Sequence, residues 1–131
     1  MSEATTRPAL AGESPEARFL AELETGAAKV QQCTACGRKF FQPRTHCPHC
    51  RSAHHDWVPL ALAGVLHAFT HLPAQRERAA YNVVLVDMDD GFRMMSSCPG
   101  MDLDMQSIGM RLRGRIDQDC VPPRIVFGAM A

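Results

Sequence analysis

The sequence is short of several things, and each shortage excludes something. Acidic and basic residues balance at 14 each in 131 residues, so the chain lacks the positive excess that marks generic binders of nucleic acid or anionic membranes. Only one Trp and one Tyr are present, which leaves few rings for stacking on bases. No apolar run approaches the roughly 20 residues needed to span a bilayer. The opening stretch, MSEATTRPALAGESPEARF, has neither the basic nor the apolar region of a secretory signal. A cytoplasmic chain without a membrane span is therefore expected. Internal repeats and low-complexity tracts are also missing. A composition that is 46% hydrophobic and 21% charged is too apolar for wholesale disorder. At this length one principal core is expected, and any small appendage needs its own staple.

Acid is absent from one segment altogether. Residues 29–55 contain Lys29, Arg38, Lys39, Arg44 and Arg51 but no Asp or Glu, and this basic segment also carries four of the six cysteines. On that basis the chain divides into a mobile tail and N-terminal helix (1–28), a metal ribbon (29–56) and a β domain (57–131). The first dozen residues read as tail. Ser14 followed by Pro15 marks a helix start, because serine caps free amides and proline at the first helical position forfeits no hydrogen bond. Phe19, Leu20 and Leu23 supply an apolar stripe and Gly26 a stop, which predicts a helix over about 15–25.

Beyond Trp57 the periodicity is that of strands. Residues 65–72 alternate, with Val65, His67, Phe69 and His71 on one face. Tyr81–Met88 is a nearly continuous apolar run that ends in Asp89-Asp90-Gly91, a tight-turn signal. Phe92–Cys98 is the returning strand, 102–109 a linker or helical turn, and Met110–Asp117 alternates strictly with arginines. Ile125–Phe127 follows the break at Pro122-Pro123. About five strands with short connections suit a small OB-type barrel better than a sandwich, which needs about seven. The predicted class is mainly β, with one helix, a four-cysteine ribbon and a five-stranded barrel.

Cys33-x2-Cys36 and Cys47-x2-Cys50 stand ten residues apart. Four thiolates fill the tetrahedral sphere of one zinc ion and leave no open position, so the site is structural. Iron suits the same ligands and would make the protein an electron carrier. His46, His49, His54 and His55 lie nearby, but two complete cysteine pairs leave them no vacancy. A segment this short cannot build a core, so the ion supplies its folding energy.

Other candidates are weaker. Arg38, Lys39 and Arg44 offer cations near the ribbon, and Phe40 and Phe41 offer rings that either stack on a base or plug the knuckle against its neighbour. Arg111, Arg113 and Arg115 share one strand face, as phosphate ligands or as a soluble surface. Met94, Met95, Met101, Met105 and Met110 read as core or as a partner surface. Cys98 has no local base and reads as a small buried hydrophobe. Neither His67 nor His71 has an evident acid. No catalytic constellation emerges.

The ordered set of Gly26, Cys33-x2-Cys36-Gly37, Pro43-Arg44, Cys47-Pro48-x-Cys50, Trp57, Ala63-Gly64-Val65, Val83–Asp87 through Gly91 and Ile108-Gly109 resembles the rubredoxin-like zinc-ribbon plus OB-fold family. These proteins accompany thiolases and related acyl-CoA enzymes and were long known as a domain of unknown function. The chain departs from that pattern at Arg51, where the family often has glycine, and at Leu60–Ala63, where it has small residues. The resemblance implies a noncatalytic accessory subunit with structural zinc, in a hetero-oligomer with a thiolase-fold partner that carries the nucleophile. It also implies an acyl-CoA ligand near the shared interface, by analogy at the side of Arg38, Lys39, Phe40, Phe41 and Arg44. The competing reading is a single-stranded nucleic-acid module, since ribbons and OB barrels both serve that purpose.

Overall fold

In the computed structural model, which describes residues 14–130, α1 runs from Pro15 to Glu24. The expected tail lies outside the described residues. The Ser14 hydroxyl accepts from the Ala17 amide at 3.1 Å, and Gly26 at φ +90° turns the chain out of the helix. Its inner face is less apolar than the stripe suggests. Arg18 and Glu22, one helical turn apart, form an ion pair at 3.0 Å with both side chains buried. Arg18 also lies 5.5 Å from the centre of the Trp57 ring.

A three-stranded antiparallel sheet follows, in the order β2-β1-β3, from β1 (Lys29–Cys33), β2 (Lys39–Phe40) and β3 (His55–Pro59). All five residues of β3 pair with β1, Gln31 facing Trp57. This sheet therefore runs to Pro59, across the 56/57 division that the composition suggests.

The second sheet has five strands in the order β6-β5-β4-β7-β8. They are β4 (Ala63–Leu72), β5 (Tyr81–Met88), β6 (Arg93–Ser96), β7 (Arg111–Asp117) and β8 (Arg124–Ala129), with a short 3-10 turn at Met105–Ser107 between β6 and β7. Closure comes at the outer strands, where the Phe127 amide donates to the Ser97 carbonyl at 2.9 Å. This is the OB-like barrel expected from the strand count. Its strands form where β-branched and apolar residues alternate with polar ones, as in β7, where Leu112 and Gly114 are buried between exposed arginines.

The alternation in β4 is broken by a bulge. Register with β5 shifts between Leu66 and Ala68, so Leu66 is fully buried while Phe69 packs against the same core. A bulge re-aims the side chains beyond it. His67 and His71, expected on one face, therefore part company: His67 lies 3.5 Å from Asp87, and the His71 ring nitrogen Nε2 donates to the Leu103 carbonyl at 2.8 Å. Gly64 permits the β4–β5 approach, because a Cβ there would stand 2.5 Å from the Asp87 carbonyl oxygen.

One core cluster joins the parts. It takes Phe19 and Leu23 from the helix, Val30 and Trp57 from the three-stranded sheet, and Leu66, Val84, Val86, Leu112 and Phe127 from the barrel. Each large apolar side chain buried there contributes on the order of 1.5–3 kcal/mol.

Candidate metal centre and its surroundings

Two turns bring four sulfurs together. The first leaves β1 at Cys33 and closes with the Gly37 amide donating to the Cys33 carbonyl at 2.9 Å. The second closes with the Arg51 amide donating to the Cys47 carbonyl at 2.8 Å. The sulfurs of Cys33, Cys36, Cys47 and Cys50 all lie within 4.8 Å of one another. Cys33 and Cys50 are 3.4 Å apart, Cys36 and Cys47 3.7 Å. A zinc–sulfur bond of about 2.3 Å sets a tetrahedral edge of about 3.8 Å, so the donor set fits one ion. Cys33 and Cys47 are buried and Cys36 and Cys50 exposed, so the donor set lies at the surface, with two ligands facing inward and two toward solvent.

The local field prepares the sulfurs unequally. Amides of Ala35 and Cys36 donate to the Cys33 sulfur at 3.3 and 3.4 Å. The Cys36 amide leads in holding this thiol down at about 6, against the opposing effect of burial. Burial raises Cys47, but the amides of Cys50 and His49 outweigh it and the net shift is downward. The Ser52 amide favours the Cys50 thiolate, yet contact with the sulfurs of Cys33, Cys36 and Cys47, together with burial, pushes it up to about 11. Adjacent sulfurs resist ionising together. A divalent cation removes the conflict, since a coordinating thiol is deprotonated outright. The four cysteines therefore hold one structural metal ion, and the ribbon's zinc chemistry needs no histidine ligand.

Two residues behind the knuckles escaped the sequence reading. Gln31 is buried at 1% exposure. Its side chain donates to the Arg44 carbonyl and accepts from the Arg44 amide, at 2.6 and 2.8 Å, clamping the chain that leads to Cys47. His55 Nε2 lies 3.1 Å from the Gln31 side-chain nitrogen, and burial lowers the histidine's pKa. The available signal was a glutamine two positions before Cys33 in a strand otherwise bound for the interior.

The ribbon residues singled out as ligand contacts separate into two groups. Phe40 is 2% exposed and packs with Cys33 and Cys47. Phe41 sits between Phe19 and Phe92, with ring centres 5.3 and 5.9 Å away. Lys39 reaches across to Asp90 at 3.3 Å, whose carboxylate also accepts from the Ala61 amide. Phe40 thus fills the ribbon's own small core, while Phe41 and Lys39 tie ribbon, helix and barrel together. Arg38 is exposed and donates to His49 at 3.2 Å. Arg44 is exposed, held only through its backbone.

Elsewhere, Arg111 forms a two-pronged pair with Asp89 at 2.8 Å in each arm, while Arg113 and Arg115 face outward. Asp87, the acid missed beside His67, is held down first by its hydrogen bond from Arg93. Cys98 is fully buried and desolvation pushes its thiol up to about 11, the condition of an inert thiol. Met94 lies in the core, whereas Met95 and Met105 are exposed. Both departures from the family pattern fall on left-handed backbone: Arg51 has φ +69° and Leu62 φ +57°. No helix among the described residues is long and apolar enough to cross a membrane.

Comparison with known proteins bears on this assembly. Residues 28–56 match the rubredoxin-like zinc ribbon domain of ChsH2, and residues 57–117 match its C-terminal OB-fold domain. A probable enoyl-CoA hydratase alpha subunit from Thermomonospora curvata is 32% identical over 84 residues, 62% of this chain. The matched region spans only 26% of that relative's length. Among solved structures, a chain of an Ltp2-ChsH2(DUF35) aldolase superposes with a TM-score of 0.74 and 26% identity, covering 94% of this chain and 98% of that one. A DUF35-family protein of unknown function from Sulfolobus solfataricus gives a TM-score of 0.62 at 18% identity, over 86% and 83% of the two chains, which speaks to the fold alone.

Proposed function

The chain belongs to the ChsH2 family, matched ribbon first and barrel second over residues 28–117, and from that premise we propose that it is a noncatalytic accessory subunit of a thiolase-type complex acting on an acyl-CoA. The observation that carries this reading is the likeness over nearly the whole chain to a component of an Ltp2-ChsH2(DUF35) aldolase. The relationship to an enoyl-CoA hydratase alpha subunit supports an acyl-CoA setting. In this reading the partner provides the nucleophile and the cytoplasmic accessory chain provides a rigid, metal-stapled surface. Its contribution to rate is positional, holding the thioester channel in a productive geometry.

Residue contacts follow from what the fold leaves available. Phe40, Phe41 and Lys39 are engaged in packing and in the Asp90 pair, so the ribbon-side contact to CoA phosphates narrows to Arg38 and Arg44. Arginine matches phosphate oxygens with paired donors. Met95, Met105 and Val121, exposed at 67%, 79% and 98%, are apolar groups that a partner surface would cover. The test is a pull-down of the tagged full chain from its native extract, with bound chains identified by mass. A thiolase-fold chain in fixed proportion is the expected result. Recovery of nucleic acid, or of no partner, sinks the assembly.

A further inference from the structure

A cleft of about 940 Å³ opens at the end of the barrel away from the metal knuckles. Its walls come from the loop after β4, the first residues of β5, the turn after β6, and Arg124 at the start of β8. In OB folds the second and third strands, with the loops after the first and fourth, form the ligand face. Here those elements are β5, β6 and the segments 73–80 and 118–123, of which the cleft takes residues of 73–80 and the start of β5, with the turn after β6 opposite. Its volume is within the range of small-molecule sites, about 300–1,000 Å³.

The wall is built rather than incidental. Asn82, 5% exposed, donates to the carbonyls of Cys98 and Met101 at 2.9 and 3.2 Å and accepts from the Cys98 amide at 2.7 Å. With the His71–Leu103 bond, this pins both ends of the turn that forms one side. Ser97, also lining the cleft, has a buried hydroxyl with no partner. Arg78 stacks on the Tyr81 ring, 4.8 Å from its centre. Neither Arg78 nor Arg124 has a carboxylate at ion-pair distance among the described residues, although Arg93 and Arg111 do. Arg124 faces Asp117 across the β7–β8 pair, and after the Cys120 hydrogen bond its charge helps hold that carboxyl down. Asp102 adds one acid at the rim.

We propose that this cleft binds a phosphorylated nucleoside. The two guanidiniums supply paired donors for phosphate. The Arg78–Tyr81 stack offers a flat platform for a base. The Asp102 carboxylate accepts from ribose hydroxyls, the role an acidic side chain takes in dinucleotide sites. The zero net charge and the single tyrosine favour one nucleotide over a polymer. This site does not rest on the accessory-subunit reading, and a CoA nucleotide held here would replace the ribbon-side contact assigned to Arg38 and Arg44.

Tyr81 is the only tyrosine in the chain, so a full-length, zinc-loaded protein with ring-labelled tyrosine gives one NMR reporter inside the cleft. Adenosine 3′,5′-bisphosphate and 5′-AMP should shift it saturably, whereas adenosine or inorganic phosphate alone should act at least about tenfold more weakly. R78E and R124E, both at exposed positions, should each weaken the response about tenfold or more, with R113E on the outer face unchanged. Preference for the bisphosphate identifies the nucleotide end of a CoA; preference for 5′-AMP identifies a free nucleotide. No saturable shift at millimolar probe, or shifts indifferent to R124E, overturns the site. Tighter binding of a ten-residue oligothymidylate, falling steeply with salt, overturns it in favour of a single-strand groove. The pull-down above uses a different readout, so either idea can fail alone.

Discussion

The outer half of the ribbon and the barrel solve the same problem by different means. Around the knuckles the separate buried cluster consists of Cys33, Phe40 and Cys47 alone, too little apolar surface to offset the entropy of ordering about twenty residues. The barrel instead buries Leu66, Val84, Val86, Leu112 and Phe127 to 1% exposure or less. One region is held by an ion and the other by packing. Between them, Val30 and Trp57 of the three-stranded sheet join the barrel's cluster, so the ribbon is anchored at its base and dependent on metal at its tip.

Removing the metal gives the largest expected effect. Structural zinc contributes roughly 10–16 kcal/mol of apparent binding energy in isolated fingers, comparable to a small domain's whole stability of about 5–15 kcal/mol. Chelation, or Cys47→Ser, should abolish amide protection over 34–52 while β5 and β7 remain protected in hydrogen exchange. Metal retention should also fall as pH falls, because protons compete for the thiolates. Uniform loss of protection across both sheets would erase the distinction between the regions.

The converse variant attacks the barrel. Phe127 is 1% exposed, and Phe127→Ala should cost about 3–5 kcal/mol, read as a lowered urea midpoint. Bound zinc per chain should stay at one under native conditions. Zinc lost in step with barrel unfolding would mean that both regions form one cooperative unit.

The two regions also differed in how plainly their sequences could be read. Four cysteines at fixed spacing declare a local tetrahedron, and strict alternation around Arg111, Arg113 and Arg115 declares a half-buried strand. What escaped depended on long-range pairing. The β4 bulge that separates His67 from His71 arises from register with β5, and no residue of β4 announces it. The fates of Phe41 and Lys39 depended on Phe19, Phe92 and Asp90, distant in sequence, and that of Phe40 on Cys47 and His55. The buried Arg18–Glu22 pair reads as solvent-facing helix until Trp57 covers it. Asn82 and Gln31, whose amides brace the cleft and the knuckle, look like ordinary polar residues within strands.

Close approach within the barrel gives the next effect. At Gly64 a Cβ would meet the Asp87 carbonyl oxygen at 2.5 Å and the Val86 side chain at 2.7 Å. Gly64→Ala should therefore cost about 1–3 kcal/mol through overpacking, measured by the same urea midpoint. A neutral result would show that β4 and β5 can separate at the bulge without penalty.

The smallest prediction pairs one strained residue from each region. Arg51 and Leu62 both occupy left-handed backbone, which disfavours a side chain by about 1–2 kcal/mol. Arg51 is exposed, so Arg51→Gly relieves strain and removes little packing. Glycine's extra unfolded-state freedom takes back part of the gain, leaving about 1 kcal/mol. Because the knuckle folds only with its ion, that gain should appear as roughly fivefold tighter zinc binding in chelator competition. Leu62 packs against the core cluster and stands beside Gly114. There the lost contacts exceed the relieved strain, and Leu62→Gly should destabilise the barrel by about 1 kcal/mol or more. Opposite signs from the same backbone change would place the source of stability in the ion at one site and in packing at the other. Equal signs would mean that the backbone conformation, and not the surroundings, governs both.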